Sequence, residues 1–266
     1  MTRLKIAQLK NTAKHDAIAI AINRYLNNSQ GHYSLQDHEF GAQLALGQAR
    51  KAFLSGNYGI GAALFVKKND RTEIYLGQNK VVTGKPSERF NTHGETDAIK
   101  HWLLAIEKKR KPHKVYLVTN KQIGVWLYTN LEPCPKCEME ITMLLTIAKE
   151  YLNPTATIHC ICTATEGMLT QDQGVNTSNG SAHAVGKKHL TTPLIWRSIQ
   201  RGYFSGQKPI AHPPVKFSLL NTSSQALEKH EPPGAYIHTG DTELVNLSWD
   251  IFNKTREKID KYLAGD

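Results

Sequence analysis

Two cysteines three residues apart, Cys134 and Cys137, are the side chains of this sequence best suited to chemistry. They stand in Leu131-Glu132-Pro133-Cys134-Pro135-Lys136-Cys137, where an extended run gives way to a helical pattern. At i and i+3 two side chains share a helix face, so both sulfurs can reach one ion. The first helical turn also carries unpaired backbone N–H groups, whose partial positive charge favours thiolate over thiol. Pro135 suits that turn, because it lacks an N–H where none is needed. A C-x-x-C pair alone is compatible with half of a structural zinc site, a redox dithiol or part of a catalytic metal site.

A second motif narrows the choice. His93-Gly94-Glu95 precedes the cysteines by 41 residues (134 − 93) and opens a helical pattern of its own. Two thiolates and one imidazole make a three-ligand set that leaves tetrahedral zinc one open position for water, the mark of a catalytic site. Within a regular helix, His93 and Glu95 would diverge by about 200°. They can share a site only at a helix entrance. The spacing Thr92-x-x-Glu95 fits a capping box, but a glutamate used as a cap is not available to move protons. Beside an activated water Glu95 has a proton to move, and that reading is preferred. H-x-E alone means little in a chain with 12 histidines. Combined with P-C-x-x-C it is far more specific.

The elements that must position these residues follow from the hydrophobic pattern. Residues 1–33 read as a polar-amphipathic helix with Ile18, Ile20, Ile22 and Leu26, broken around Asn27–Gly31. A second helix is expected from Leu35 to Leu54, with Phe40, Leu44, Ala45, Ala49 and Phe53 on one buried face and Asp37 near its start. The apolar run Gly59–Val66, a turn at Asn69-Asp70 and the alternating stretch Glu73–Gln78 read as a hairpin. A helix follows from about Thr92 to Lys108, then strand candidates at Val115–Thr119 and Val125–Thr129. Pro135 to Lys149 is helical in pattern, and Thr157–Thr163 extended. Beyond residue 165 come a Gly/Ser/Asn-rich loop (166–190), a short helix (Leu194–Tyr203), a strand (Val215–Leu220), the break Pro232-Pro233-Gly234 and a final helix from Thr242 to Leu263. Helices alternating with strands indicate an α/β layered domain with a mixed sheet.

Composition sets the class. The 266 residues are 40% hydrophobic and 21% charged, which excludes a disordered tail or a coiled-coil rod. No apolar run approaches the ~18 residues of a membrane span. Met1-Thr2-Arg3-Leu4-Lys5 lacks the features of a secretory signal, so a cytoplasmic location is expected. The net charge of +10 suits a polyanionic partner or an anionic substrate, and equally a soluble surface. The tract Lys108–Lys114 is read chiefly as a solvated helix end. Cys160 and Cys162 are read as buried thiols pointing to opposite faces of a strand. His159, His183, His189, His212, His230 and His238 lack ligand spacing; Tyr58, Trp126 and Trp196 default to the core; Asp97 is compatible with orienting a residue of the site and at least equally with a solvated carboxylate.

Together, His93-Gly94-Glu95 and Pro133-Cys134-Pro135-Lys136-Cys137 form the signature of zinc-dependent base deaminases. From about Leu35 to Thr165 the sequence resembles the cytidine/deoxycytidylate deaminase superfamily, which includes tRNA adenosine, guanine and fungal-type cytosine deaminases. The resemblance implies a three-layer α/β/α sandwich around a five-stranded sheet as the core (34–165), with an N-terminal helical extension (1–33) and a C-terminal extension (166–266) packed on it. It implies one zinc ion per chain on His93, Cys134 and Cys137. Glu95 then carries a proton from water to the ring nitrogen and on to the departing amine. Asn79, similar in place to the family's substrate-contacting asparagine, Gly94 and Pro133 are implied as substrate contacts. The implied reaction is hydrolytic release of ammonia from a nucleobase, nucleoside or nucleotide. Leu131-Glu132-Pro133-Cys134 is similar to the tRNA adenosine deaminase motif, whereas glycine at 94 resembles the fungal-type cytosine enzymes. Small molecule and RNA therefore both stand as expected partners, with a homo-oligomer, in the simplest form a dimer. A zinc-core binding protein without turnover and a metal-free redox protein are the readings from other classes.

Overall fold

The computed structural model describes residues 3–34, 37–68, 71–85, 92–109, 122–134, 137, 140–141, 157–164, 215–221, 236–238 and 241–264. Two helices, α1 (Arg3–Lys14) and α2 (Ala17–Asn28), open the chain where one continuous stretch was expected. The break falls at Asp16, whose backbone is extended (φ −73°, ψ 134°) and whose side chain accepts from the Ile18 N–H at 3.1 Å, capping α2. The same carboxylate pairs with Lys258 near the far end of the chain. α2 ends at Asn28, within the expected breaking segment, and Gly31 adopts a φ of 82°. α3 (His38–Leu54) begins after Asp37, which occupies the N-cap position.

Among the described residues, six strands form one sheet: β1 (Gly61–Lys68), β2 (Arg71–Gln78), β3 (Gln122–Thr129), β4 (Thr157–Cys162), β5 (Val215–Asn221) and β6 (Tyr236–His238), in the order β2-β1-β3-β4-β5-β6. β1 pairs antiparallel with β2 and β3, whereas β3, β4, β5 and β6 run parallel, so the sheet is mixed. Four strands fall within 34–165, and two more, β5 and β6, extend the same sheet from beyond residue 165. The candidates at Val115–Thr119 and Leu194–Tyr203, most of Pro135–Lys149, the loop 166–190, the break at Pro232-Pro233-Gly234 and the turn Asn69-Asp70 lie outside the described residues.

Strand alternation sends side chains to two cores. On one face Ala62, Leu64, Val66, Val125, Leu127, Cys160 and Cys162 pack with Ala98, Ile99 and Trp102 of α4 (Gly94–Lys109). On the other, Ala63, Phe65, Tyr128, Ile161 and Leu220 pack with α2, α3 and α5 (Thr242–Ala264). Cys160 and Cys162 are both buried, but they share one face, which corrects the expectation of opposite faces. Residues two apart in a strand necessarily point the same way. The N- and C-terminal segments meet at Asp241, which accepts from the hydroxyls of Tyr25 (2.5 Å) and Tyr33 (3.2 Å) and from the Leu244 N–H (2.9 Å).

Glycine is what lets α4 lie against the sheet. A Cβ at Gly77 in β2 would collide with the Gly94 carbonyl oxygen and the Ala98 nitrogen, both backbone atoms unable to swing aside. Gly77→Ala is therefore expected to destabilise by about 1–3 kcal/mol, the usual range for overpacking, read as a lowered denaturation midpoint. An unchanged midpoint would contradict the close helix–sheet approach.

Candidate metal centre

His93 sits one residue ahead of α4 and is not part of its regular turns. Its carbonyl oxygen accepts from the Asp97 N–H (3.0 Å) and the Thr96 hydroxyl (3.2 Å), so the helix grows directly from it. This entrance geometry allows His93 and Glu95 to share a site. On the other side, the chain leaves β3 through Thr129, whose hydroxyl donates to the Leu131 carbonyl (2.7 Å). The Glu132 N–H donates to the Ala164 carbonyl (2.7 Å), fixing the loop that delivers Cys134. Cys137 is helical, and its N–H donates to Cys134 Sγ at 3.4 Å. Cys134 thus stands like an N-cap whose acceptor is sulfur.

These two local structures bring three ligand atoms together. Cys137 Sγ is 3.0 Å from His93 Nδ1, Cys134 Sγ is 3.9 Å from it, and the sulfurs are 3.4 Å apart. With zinc–sulfur near 2.3 Å and zinc–nitrogen near 2.0 Å, the edges of a tetrahedron run about 3.5–3.8 Å. The donor set and its spacing therefore fit zinc. His93, Cys134 and Cys137 form a group able to hold a metal among the described residues, with all ligand atoms within 4.8 Å of one another.

The electrostatics are those of a buried polar cluster. Cys134 is pulled down to about 4, chiefly by the hydrogen bond it shares with the Cys137 sulfur and further by His93, against its own burial. Cys137 is pushed well above its ordinary value by that same bond and by burial. The two shifts have one cause, the contact between the sulfurs. Glu95 is only 2% exposed, and burial lifts it to about 7, with His93 opposing and Cys134 adding to the rise. Its Oε2 is buried without a hydrogen-bond partner. The carboxylate's hydrogen bonds are to its own backbone N–H and to Cys137, and not to the Thr92 N–H that a capping box requires.

Around this centre, Asn79 is buried just past β2, its N–H donating to the Ile60 carbonyl (2.9 Å) and its Oδ1 accepting from Val81 N–H (3.0 Å). The adjacent Lys80 N–H donates to the Thr92 carbonyl (2.9 Å), which brings the end of β2 beside the His93 turn. Gly94 is buried under that turn, and Pro133 is buried ahead of Cys134. Asp97 is a correction: it is buried, not solvated, and accepts from Lys80 Nζ (2.9 Å) and the Gln78 N–H (3.2 Å). Helical spacing within α4 carries no hint of this, because Lys80 and Gln78 come from another element. Trp126 stacks on His159 (centroids 6.2 Å apart, planes 12°) on the sheet face opposite the cysteines. Asn130, which sequence reasoning passed over, makes more buried hydrogen bonds than any of the expected substrate contacts.

Residues 35–152 match the family model described as the cytidine and deoxycytidylate deaminase zinc-binding region. Among curated proteins no sequence matches. Among solved structures, one from a study of A-to-I editing by tRNA:A34 deaminases is similar at 22% identity, covering 49% of this chain and 78% of that one, with a TM-score of 0.33. Guanine deaminase from Bacillus subtilis is similar at 23% identity over 48% of this chain, with a TM-score of 0.30; the match spans 64% of that enzyme, under two thirds of its length. Rib2 deaminase from Aspergillus oryzae is similar at 16% identity, covering 49% of this chain and 74% of that one, with a TM-score of 0.32.

Proposed function

Because residues 35–152 match the cytidine and deoxycytidylate deaminase zinc-binding region, we propose that the protein is a zinc-dependent hydrolytic deaminase releasing ammonia from a nucleobase, nucleoside or nucleotide. The observation that carries this reading is the meeting of His93, Cys134 and Cys137 next to a buried glutamate with one unsatisfied oxygen. In this reading the three residues hold one zinc ion, and Asn79, Gly94 and Pro133 border the substrate. Bound zinc would supply Lewis acidity, making a water nucleophilic near neutral pH. Two thiolates offset the metal's charge and blunt that acidity, so a neighbouring base matters. Glu95 takes the proton of the attacking water, delivers it to the ring nitrogen beside the amine-bearing carbon, and then protonates the leaving amine. A carboxyl poised near neutrality by burial can both accept and give that proton.

The proposal extends to architecture. The helices on both faces of the sheet support a three-layer α/β/α core over 34–165, with 1–33 and 166–266 as extensions. A second reading, a tRNA-type adenosine deaminase, is favoured by the net charge of +10. Both are tested by ammonia release from cytosine, cytidine, deoxycytidylate, adenine, guanine and a tRNA pool, offered to zinc-loaded protein. Ammonia from one of the small molecules supports the first reading, and ammonia from tRNA alone the second. In either case a chelator should abolish release and zinc restore it. A folded, zinc-loaded protein inert on all six would overturn both. Among the described residues no helix is long and apolar enough to cross a membrane.

A further inference from the structure

The cysteine loop and the His93 turn rest on a common support. Asn130 is fully buried between the end of β3 and Cys134. Its Nδ2 donates to the carbonyls of Gly59 (2.9 Å) and Ser248 (3.2 Å), and its Oδ1 accepts from the Gly61 N–H (2.8 Å). Two donors and one acceptor in a single plane is what a primary amide offers and what no hydroxyl or carboxylate can supply. Ser248 belongs to α5, and α5 grips the same stretch again through Thr255, whose hydroxyl oxygen accepts from the Gly59 N–H (2.9 Å). A Cβ on Gly59 would come within 2.8 Å of Ile251 Cγ1, so helix and strand entrance are in direct contact.

That strand entrance carries the metal turn. Gly94, between His93 and Glu95, lies on it so closely that a Cβ there would come 3.0 Å from Gly61 Cα and 3.1 Å from the Ile60 oxygen. On the other side Leu131, next to Asn130, packs with Ala164, Phe252 and Trp249, the last two from α5. One amide therefore joins α5, the floor beneath Gly94 and the segment leading to Cys134.

We infer that Asn130 is a positioning residue through which α5, a helix outside the matched residues 35–152, holds both halves of the metal centre at their mutual distance. The inference rests on the metal-binding reading above. Its test uses the full chain loaded with Co2+ as a spectroscopic stand-in for zinc, comparing wild type with Asn130→Asp and Thr255→Val. Asn130→Asp keeps the shape but turns an oxygen toward two carbonyls; Thr255→Val keeps the volume and removes the acceptor for Gly59. Expected are an altered cobalt ligand-field spectrum and, with zinc, metal release to a chelator faster by about 10- to 100-fold for Asn130→Asp, with a smaller change of the same sign for Thr255→Val. A residue that only stabilises the fold would lower the melting temperature and leave the spectrum and release rate of the folded protein at wild-type values, and that result overturns the inference. Should Asn130→Asp fail to fold, Thr255→Val decides on the same two readouts. Wild type that binds neither metal would instead overturn the metal-binding reading itself, and the inference with it.

Discussion

Glu95→Gln is expected to bind zinc as wild type does while releasing ammonia about 10²–10⁴-fold more slowly, the usual contribution of a positioned acid–base group. The amide is nearly isosteric with the carboxyl, so the ligand geometry of His93, Cys134 and Cys137 has no reason to change. What disappears is the only group among the described residues that is buried beside the cluster and raised to about 7, able to take a proton and return it. A second readout separates this from a structural role. Burial penalises the charged carboxylate, and its Oε2 has no hydrogen-bond partner, so the neutral amide should leave the melting temperature unchanged or raise it. Had Glu95 served to cap α4, the same substitution would weaken the helix start. Turnover near the wild-type rate would remove Glu95 from the proton path, whatever the zinc content.

How far the sequence reveals this molecule depends on how local the cause is. α4 and α5 are legible because their apolar positions recur at helical spacing, and their observed limits fall within two residues of those expected. The two halves of the metal centre are legible for the same reason: each is a short motif at the start of a helix. The features missed are those decided by distant partners. Asp16 breaks the first helical stretch as a cap that also pairs with Lys258, 242 residues away. Asp97 is buried because Lys80, 17 residues earlier, reaches it. Asn130 looks like an ordinary loop residue until the Ser248 carbonyl, 118 residues later, is in place. β6 has three residues, too few for alternation to register. It exists because β5 offers an edge on which Tyr236, Ile237 and His238 can pair.

Cys137→Ala should lose the metal itself. Cys137 is the buried member of the cluster and approaches His93 Nδ1 most closely, at 3.0 Å. Removing it leaves one imidazole and one sulfur, so affinity should fall by more than the roughly 10- to 100-fold seen when outer-shell groups are changed. The fold should persist, because a buried thiol packs much like a small apolar side chain. The dependence on pH gives an independent check. With Cys134 lowered and Cys137 raised chiefly by their mutual hydrogen bond, the metal-free pair holds a proton between its two sulfurs. Binding a metal to both sulfurs must expel that proton, so wild-type affinity should rise with pH, by about tenfold per unit above neutrality. In Cys137→Ala the hydrogen bond that chiefly lowers Cys134 is gone, so that thiol rises back toward its ordinary value and must itself lose a proton to bind a metal. Calorimetric titration in buffers of different ionisation heat counts the protons directly, with about one released by wild type near neutral pH. Full zinc occupancy in Cys137→Ala, or no proton release from wild type, would mean that the second sulfur is not a ligand.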